Sequence, residues 1–597
     1  MKNLILVSLL CSIPLFLKPA YAQTKFLVSA EAIYDIPQSG SAKVTHNVSI
    51  TNATTEFHAT DFILSVRGAE VKDVVAYSVN DDLKSEILHG DGIDQIKVFF
   101  DESTVGEGNS FSFTIEYLDT SVVKRSGDVT EISIPKLSAE TFDSYQLKLV
   151  VPASLGEVAY MSPPADNITQ SDALKSYYFD TPEVFRAGVS AAFGQFQVFS
   201  FDLIYHLQNP LALPTKMEVA IPPDTSFQKV FYESLSPKPD NISQDGDGNW
   251  LASFKLAARE RLDVRAIGTA QIFASPWKST EINNPETYLS PTKYWQTEEG
   301  QIKELAESLS TPEKIYNYVV SNLNYNYGKV ATGVERLGAL DALKNPNDAI
   351  CTEFTDLFIA IARASGIPAR EVNGYAYTDN SALKPLSLVA DVLHSWPEYW
   401  DGERQNWIPV DPTWEKTTGG VDYFSKLDMR HLSFVIHGVN PESPTSPGSY
   451  KLGANPQKDV FVSFGELPQT IKQSPVINIS QRTNLPFQGL VLVAQIENPG
   501  PSALFSQKVE LFYDEDKKYE DVLPQLLPFE KKTMEFSVPY GLVGNAMPEK
   551  ALLIIGGSSE SFKTSKNQAL ARDIAAVAFA LVFFGFSMFV YFRRARK

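Results

Sequence analysis

The sequence predicts a multidomain protein of the α+β and all-β classes, in which one α+β domain is flanked by β-sandwich domains and followed by one transmembrane helix. Its 597 residues exceed the roughly 250–300 residues at which a single hydrophobic core stops growing. Apolar and polar residues alternate with a period of two before about residue 284 and again after about residue 455, as in half-buried strands. Between these regions apolar residues recur at helical spacing, and residues 574–592 carry no charge.

Both ends of the sequence predict an exported, membrane-anchored chain. Residues 1–22 combine Lys2, an apolar run and the small-residue cleavage site Ala20-Tyr-Ala22, as a signal peptide does, and Cys11 would leave with it. The uncharged segment 574–592 is long enough to span the hydrocarbon core of a bilayer. The basic residues in 593–597 predict a cytoplasmic tail, so we expect the N-terminal ectodomain to lie outside the cell membrane.

The net charge excludes one function, and the cysteine content excludes one kind of covalent cross-link. The formal net charge of −19 repels nucleic acid and anionic lipid, and no basic patch interleaved with aromatic residues is present. A nucleic-acid-binding function is therefore excluded. Once the signal peptide is removed, Cys351 remains as the single cysteine, so an intrachain disulfide is excluded as well.

Changes in periodicity along the chain divide it into domains. After the signal peptide we expect two β-rich domains, an α+β domain, an immunoglobulin-like β-sandwich and the membrane segment. The predicted boundaries are 1–22 for the signal peptide, 23–137 for a β-sandwich, 138–284 for a second β-rich domain, 285–440 for the α+β domain, 455–560 for the immunoglobulin-like sandwich, 574–592 for the transmembrane helix and 593–597 for the tail.

Within the α+β domain, the segment that begins at Cys351 has the clearest helical pattern. Phe354, Leu357, Phe358 and Ile361 follow the i, i+3, i+4, i+7 spacing of a buried face. We expect this helix to pack on an antiparallel sheet. The other predicted elements are helices at 301–309, 312–323 and 338–343, with Thr311 and Pro312 as N-cap and first residue of the second, and strands at 369–377, 394–400 and 406–410.

Three side chains in this domain are the parts of a cysteine triad. Cys351 lies at a helix start, where unpaired N–H groups and the helix dipole favour a thiolate over a thiol. His394 would accept the thiol proton, and Asp411 would orient the imidazole. Neighbouring antiparallel strands lie about 4.8 Å apart, so the histidine and the aspartate can meet on one face of the sheet.

The sequence around these residues resembles the transglutaminase-like superfamily, also called the papain-like transglutaminase core. The matching blocks are Cys351-Thr-Glu-Phe-Thr-Asp-Leu-Phe-Ile-Ala-Ile-Ala-Arg-Ala-Ser-Gly-Ile-Pro, then His394-Ser-Trp-Pro-Glu, then Trp407-Ile-Pro-Val-Asp-Pro-Thr-Trp. They occur in the order of the family, within residues 285–435. The resemblance implies that Cys351 is the nucleophile, His394 the base and Asp411 the orienting carboxylate. No cofactor and no metal are predicted for the site.

Several assignments stay open at this stage. His431 and His437 are competing bases, and Asp391 or Glu398 could orient the imidazole in place of Asp411. Asp348, Glu353 and Asp356 flank the cysteine and oppose formation of a thiolate. The resemblance also implies an oxyanion donor upstream of the cysteine, for which Tyr325 and Tyr327 are the candidates, beside the backbone N–H of Cys351.

The tryptophans of this region allow two structural interpretations. Trp396, Trp400 and Trp414 are predicted as walls of a substrate groove, and core packing explains them equally well. Ala349 departs from the family, many members of which carry glycine two residues before the cysteine. A zinc site is not predicted, because one cysteine and scattered histidines give no ligand spacing.

The function that the resemblance implies is attack of Cys351 on a peptide or glutamine amide to form a thioester. We expect hydrolysis of that thioester, as in a cysteine protease or amidase, since membrane-bound prokaryotic-style members resemble cysteine proteases. Transfer to an amine, which would make the protein a cross-linking transglutaminase, is the first alternative. A non-catalytic surface adhesion or scaffold protein is the second. The partners expected are a protein or peptide substrate and the membrane.

Overall fold

The computed structural model describes most of the chain between residues 25 and 595. The predicted signal peptide and the last two residues of the predicted tail lie outside the described residues. Also outside them are 23–24, 68, 80, 91–92, 101–103, 127–128, 138–141, 181–183, 185–187, 283, 330–334, 379–380, 382, 386, 389–390, 452–456, 470–472, 484–485 and 542–543.

The chain folds into two compact units, of which the first takes in most of the N-terminal 189 residues. Its main sheet has eight strands in the order β13-β14-β11-β1-β2-β8-β4-β5, and a smaller sheet has the order β3-β7-β6. These strands are β1 (Phe26–Asp35), β2 (Ala42–Asn52), β3 (Asp61–Arg67), β4 (Val71–Ser78), β5 (Asp82–Leu83), β6 (Ser85–Gly90), β7 (Ile93–Phe99), β8 (Ser110–Asp119), β11 (Ser144–Pro152), β13 (Asn167–Gln170) and β14 (Leu174–Phe179).

The boundary predicted between residues 137 and 138 falls inside this unit. Strand β11 pairs in parallel with β1, with Ser29 opposite Ser144 and Asp35 opposite Val150. Alternation along the sequence marks a strand but does not identify its partner, and a parallel partner always lies far away in the chain. The two segments therefore belong to one sheet rather than to two domains.

The second unit begins with a four-stranded sheet and continues into a β-sandwich. The first sheet has the order β12-β15-β10-β9, and the two sheets of the sandwich have the orders β18-β21-β16-β27 and β17-β20-β19. The strands are β9 (Val123–Ser126), β10 (Val129–Ile134), β12 (Val158–Ser162), β15 (Val189–Phe193), β16 (Phe196–Gln208), β17 (Thr215–Ile221), β18 (Gln228–Ser236), β19 (Asn241–Gln244), β20 (Trp250–Leu256), β21 (Arg261–Phe273) and β27 (Val460–Phe464).

The α+β domain follows the sandwich in sequence, and the elements predicted for it are present within one or two residues. Its sheet has the order β23-β24-β22-β26, and β25 pairs with β24. The helices are α1 (Gly300–Ser308), α2 (Pro312–Asn322), α3 (Ala339–Lys344), α4 (Cys351–Ala364) and α5 (Pro412–Thr418), and the strands are β22 (Ala369–Ala376), β23 (Ser387–Leu388), β24 (Val392–Asp401), β25 (Asn406–Pro409) and β26 (His431–His437).

Helix α4 is the centre of this domain. The four side chains that set its predicted apolar face, Phe354, Leu357, Phe358 and Ile361, are fully buried, as expected. They pack with apolar residues of α1, α2, β22 and β24 in one core. Burial of a large apolar side chain is worth about 1.5–3 kcal/mol, so this core fixes the position of the helix on the sheet.

A buried ion network also ties α4 to the sheet. Arg336 donates to Asp356 of α4 and, from Nη1 at 3.0 Å, to Glu371 of β22. Glu371 accepts further hydrogen bonds from Ser395 Oγ of β24 at 2.7 Å and His437 Nδ1 of β26 at 3.1 Å. Burial opposes ionisation of Glu371, but these partners outweigh it and lower its pKa to about 2. The guanidinium of Arg336 thus links the helix to β22, and Glu371 extends the network to β24 and β26.

The C-terminal part of the second unit is a β-sandwich joined to a long helix. Its sheets have the orders β28-β29-β32 and β31-β30-β33-β34. The predicted domain at 455–560 included β27, which instead pairs with β16 of the earlier sandwich, Phe461 lying opposite Asp202. The elements are β28 (Val476–Thr483), β29 (Leu490–Glu497), β30 (Leu504–Tyr513), β31 (Asp516–Leu526), β32 (Lys531–Ser537), β33 (Lys550–Ile555), β34 (Ser558–Lys563) and α6 (Lys566–Ala595).

Helix α6 is long and apolar enough to cross a membrane, with a mean hydropathy of 2.3 over its most apolar stretch. It begins eight residues before the predicted span, and its first two turns pack on the C-terminal sandwich. Ala569 is fully buried there, and Asp573 accepts hydrogen bonds from Phe487 N at 3.0 Å and from Tyr540. The helix is therefore continuous with the folded domain that precedes it.

Candidate active site

Cys351 is the first residue of α4, as the sequence predicts, and its side chain is only 3% exposed. Glu353, two residues on, turns back and accepts from Ile350 N at 2.9 Å and Leu337 N at 3.1 Å. These bonds fix the chain that leads into the helix. In the described part of the chain the backbone N–H of Cys351 has no hydrogen-bond partner, as expected for the first helical turn.

The carboxylates that flank the cysteine in sequence are each bound by other groups. Asp348 accepts from Asn326 Nδ2 at 2.8 Å and lies 3.6 Å from Lys329 Nζ. Glu353 binds the two backbone amides already described, and Asp356 binds Arg336 and accepts from Trp295 Nε1 at 2.8 Å. Their repulsion of a thiolate, expected from the sequence, is therefore reduced by nearby donors.

His394 lies on β24 opposite Gly374 of β22, and it is 1% exposed. Its Nε2–H donates to Asp411 Oδ2 at 2.9 Å. The imidazole stacks on Trp414, with ring centroids 5.3 Å apart, and on Trp396 at 6.0 Å. A Cβ on Gly374 would lie 2.7 Å from the Trp396 ring, so glycine at this position leaves room for the stack.

Asp411 is held by both of its carboxylate oxygens. It is the N-cap of α5, and Oδ1 accepts from Thr413 N and Trp414 N, each at 3.0 Å. Oδ2 accepts from His394 Nε2 and also from His431 Nε2 at 3.2 Å. Because the cap fixes the carboxylate, the carboxylate in turn fixes the orientation of the imidazole.

The charges of this group shift the pKa values in the direction that a triad requires. Burial would lower the pKa of His394, but Asp411 and the neighbouring Cys351 outweigh it and raise the pKa to about 9. Burial also opposes ionisation of Asp411, yet His394 and His431 hold its pKa well below the usual range. The imidazolium and the carboxylate therefore stabilise each other at neutral pH.

The two competing histidines use both ring nitrogens for other bonds. His431 lies between two carboxylates, with Nε2 on Asp411 and Nδ1 2.8 Å from Asp428 Oδ1. His437 binds Glu371 through Nδ1 and donates from Nε2 to a backbone carbonyl at 2.8 Å. By contrast, Nδ1 of His394 is buried without a hydrogen-bond partner. Of the three, His394 alone keeps a ring nitrogen available for a proton from a nucleophile.

The alternative orienting carboxylates are also engaged elsewhere. Glu398 forms an ion pair with Arg370 at 2.7 Å. Asp391 accepts from Asp459 N at 2.6 Å and Val460 N at 2.8 Å, and it contacts Lys451. Neither contacts His394 in the described structure, whereas Asp411 accepts a hydrogen bond from its imidazole.

Tyr325 is the better placed of the two tyrosines considered as oxyanion donors. It forms a parallel β-bridge with Ala349, and Asn326 N donates to Ala349 O at 2.8 Å, so it lies beside the chain that leads into Cys351. Its hydroxyl is buried without a partner, and burial together with the charge of Cys351 raises its pKa. Tyr327 is 52% exposed.

The three tryptophans do not share one role. Trp396 and Trp414 are almost fully buried and pack around the imidazole, so they shield it from water, and their predicted place in a groove stays a prediction. Trp400 is half-buried and packs edge-on against Trp407, with ring centroids 5.6 Å apart. Its predicted place in a groove stays a prediction.

The described residues contain one group of side chains with the spacing of metal ligands. His394, Asp411 and His431 bring one ligand atom each to within 4.8 Å of the others. Hydrogen bonds from both imidazoles to one carboxylate oxygen account for this spacing without an ion.

Comparison with known proteins agrees with the resemblance noted in the sequence. Residues 296–412, which include Cys351, His394 and Asp411, match the family model of the transglutaminase-like superfamily. The chain contains a transglutaminase-like domain. The match ends where α5 begins, so the β-sandwiches on either side lie outside it.

The curated relatives match only part of the chain. A protein-glutamine gamma-glutamyltransferase of Pseudomonas aeruginosa is 28% identical over 158 residues, which are 25% of this chain and 22% of that protein. An uncharacterised protein of Mycobacterium tuberculosis is 35% identical over 69 residues, which are 11% of this chain and 22% of the relative. The matched part thus spans about a fifth of the length of each relative.

Solved structures give a weaker likeness. A candidate cysteine protease from Cytophaga hutchinsonii is 18% identical with a TM-score of 0.32, covering 47% of this chain and 93% of its own. The periplasmic domain of TgpA from Pseudomonas aeruginosa is 17% identical with a TM-score of 0.22, covering 37% of this chain and 91% of its own.

Reasoning from the sequence missed two parts of this domain. Arg336, which holds α4 on the sheet, stands in no recognisable motif. The bridging of Asp411 and Asp428 by His431 was also missed, although the spacing of Asp428 and His431 three residues apart gave a weak signal. The contacts of Arg336 with Glu371 and of His431 with Asp411 join residues 35 and 20 positions apart, so no local pattern predicts them.

We predict that Asp411→Asn slows alkylation of Cys351 at pH 6.5 about tenfold relative to its rate at pH 9.5. Asparagine keeps the cap of α5 but removes the charge that holds His394 protonated below about pH 9, and loss of a neighbouring charge lowers such a pKa by about 1–3 units. The measurement is the rate of iodoacetamide labelling of the full chain at both pH values.

The matched control is Asp401→Asn, at the other end of β24, which should leave the ratio of the two rates unchanged. Using a ratio cancels any general effect of burial on access of the reagent to the sulfur. An unchanged ratio in Asp411→Asn would show that this carboxylate does not support the imidazolium.

Proposed function

We propose that the protein is a cysteine-dependent acyl-transfer enzyme that acts on peptide or glutamine amides of a protein substrate. Cys351 would be the nucleophile, His394 the general acid and base, and Asp411 the orienting carboxylate. The main support for the proposal is the hydrogen bonding of the two ring nitrogens of His394. One nitrogen is fixed on Asp411 at 2.9 Å, and the other is unpartnered beside a thiol at a helix N-terminus.

In the first step the sulfur of Cys351 attacks the amide carbon as a thiolate, its proton being held by His394, whose pKa is raised to about 9. The carbonyl oxygen becomes an oxyanion, for which the free N–H of Cys351 and the unpartnered hydroxyl of Tyr325 are suitable donors. The tetrahedral intermediate then collapses. The C–N bond breaks, the leaving amine or ammonia takes the proton from His394, and a thioester to Cys351 remains.

In the second step a water molecule attacks the thioester carbon while His394 takes one of its protons. The C–S bond breaks, the acid product leaves, and the proton taken from water stays on His394 beside the released thiolate of Cys351. Asp411 stays ionised throughout, since His394 and His431 hold its pKa well below the usual range, and so stabilises each imidazolium that forms. The net reaction is hydrolysis of an amide, the activity of a protease or amidase.

Transfer of the acyl group to an amine is the second candidate. The observation that favours it is the match to the Pseudomonas aeruginosa relative, which is named a protein-glutamine gamma-glutamyltransferase. The first step would be the same. A substrate amine would replace water in the second step, and an isopeptide bond would form in place of a carboxylic acid.

The proposed location is the outer face of a cell membrane, with the chain anchored by α6. The apolar helix and the signal-like residues 1–22 support this location, and the basic residues after 592 support a cytoplasmic tail. A protein or peptide outside the cytoplasm would then be the substrate.

The test is product analysis with the full chain in detergent and a glutamine-bearing protein such as dimethylcasein. We expect Cys351-dependent release of ammonia, with new glutamate residues when water is the acceptor. A fluorescent alkylamine in the same reaction reports transfer, because it becomes covalently attached to the protein. A parallel reaction with an unlabelled protein mixture, analysed by mass spectrometry, reports cleavage of peptide bonds.

Cys351→Ala is the control for every arm of this experiment. Glutamate without amine incorporation, or new peptide termini, would support hydrolysis, and incorporation of the amine would support transfer. Absence of all three products at neutral pH, with a substrate set broad in sequence, would contradict the enzyme proposal and favour a binding or scaffold protein.

Tyr325 and Tyr327 form a matched pair for testing the oxyanion site. We predict that Tyr325→Phe lowers kcat about 10²–10³-fold, the usual effect of removing one oxyanion donor, because only its hydroxyl is buried beside Cys351. Tyr327→Phe, on the exposed ring packed against it, should change kcat by less than about threefold. Steady-state kinetics gives kcat, and the iodoacetamide rate should stay constant in both variants.

Equal loss of kcat in the two tyrosine variants would contradict the assignment of Tyr325. A parallel loss of iodoacetamide reactivity in Tyr325→Phe would contradict it as well, since an oxyanion donor acts on the substrate and not on the thiol.

A further inference from the structure

A cavity of about 280 Å³ lies within the second unit, behind the histidines of the candidate site. Strands β18 and β21 of the sandwich form one wall. Strands β24 to β26 and the segment after α5 form the other. Most of its lining is apolar, with Phe227, Phe273, Ile408, Phe424 and Leu427 among the lining residues. The volume is close to the lower end of the range, about 300–1,000 Å³, of small-molecule sites.

Two hydrogen-bond donors that line this cavity have no partner among the described residues. Trp396 is 1% exposed, yet no acceptor in the described residues binds its indole N–H. Lys426 is half-buried, and no carboxylate of the described residues pairs with its ammonium group. Burial lowers the pKa of Lys426 and no acid compensates for it. Neither nitrogen is among the fully buried atoms without a partner, so both keep access to open space and can donate to an acceptor that enters the cavity.

The other charged groups of the cavity are already neutralised. Glu398 is paired with Arg370, and Asp428 is bound to His431 and lies 3.5 Å from Lys384. The remaining cation, Arg404, is mostly exposed and lies 3.5 Å from Asp401. The charge that lacks a partner is thus that of Lys426, and its complement is an anion.

We propose that this cavity binds a small carboxylic acid with an apolar body, its carboxylate on Lys426 and the Trp396 N–H and its body among the apolar side chains. At about 30 Å³ per heavy atom, the volume share of a liquid water molecule, the cavity has room for roughly nine or ten atoms. A straight-chain acid of eight carbons has this size. A peptide fits less well, because its amide groups would need several partners that the apolar lining does not offer.

This site does not depend on the proposed catalytic activity. Trp396 and His431 line it on one side and contact His394 on the other, so a bound acid would lie directly behind the imidazole. Neither Cys351 nor Asp411 lines it.

The test is titration calorimetry of the full chain in detergent with octanoate as the probe. Octylamine and octanol have the same apolar body with a positive charge or none. Ala274→Trp, which would fill the cavity from its rim, is titrated in the same detergent so that partition into micelles is subtracted. Lys426→Met removes the proposed partner of the carboxylate, and Lys458→Met is the matched control on an exposed lysine.

We expect octanoate to bind at one site per chain, with an affinity at least tenfold higher than that of octanol or octylamine. Lys426→Met should weaken octanoate binding about tenfold, the usual effect of losing one hydrogen bond to a charged group, and Lys458→Met should not change it. Heats that are equal in the wild type and Ala274→Trp would overturn the proposal. So would octylamine binding as tightly as octanoate, or full affinity in a folded Lys426→Met.

Discussion

The carboxylate of Asp411 is the point on which the candidate site depends. One oxygen caps α5 through two backbone N–H groups, and the other accepts from two imidazoles. A buried carboxylate with four donors is fully satisfied, so it keeps its charge in surroundings that would otherwise neutralise it. That fixed charge makes His394 basic and sets the direction of its free nitrogen. The start of α5, two strands and a second histidine, His431, together position this one negative charge.

Buried charges also fix helix α4, which begins at Cys351, on the sheet that carries His394. Arg336 connects Asp356 on the helix with Glu371 on the sheet, and Glu371 also binds β24 and β26. Removing one member would leave an unpaired buried charge, which costs about 3–5 kcal/mol. The apolar face of α4 supplies most of the burial. The ions add directed contacts between the helix that begins at Cys351 and the sheet that carries His394.

Sequence reasoning predicted the elements of this domain better than their partners. The spacing of Phe354, Leu357 and Phe358 gave helix α4 correctly, because helical periodicity is a local property, and Thr311 does cap α2 by accepting from Lys314 N. The boundary predicted between residues 137 and 138 separates β1 from β11, but these two strands pair in parallel in one sheet. The predicted C-terminal sandwich included β27, which pairs with β16 of the earlier sandwich. Pairing between strands that are distant in sequence produces no pattern in the local sequence. For the same reason the choice between Tyr325 and Tyr327 needed the β-bridge to Ala349.

The most direct test is a crystal structure of the full chain treated with an aldehyde analogue of a glutamine substrate, which forms a hemithioacetal with a reactive thiol. We expect a bond from the Cys351 sulfur to the aldehyde carbon, with His394 Nδ1 about 3–4 Å from that sulfur and the new oxygen about 2.7–3.1 Å from the Cys351 N–H and the Tyr325 hydroxyl. An imidazole turned away from the sulfur, with another side chain between them, would contradict it. So would an aldehyde bound at any other residue.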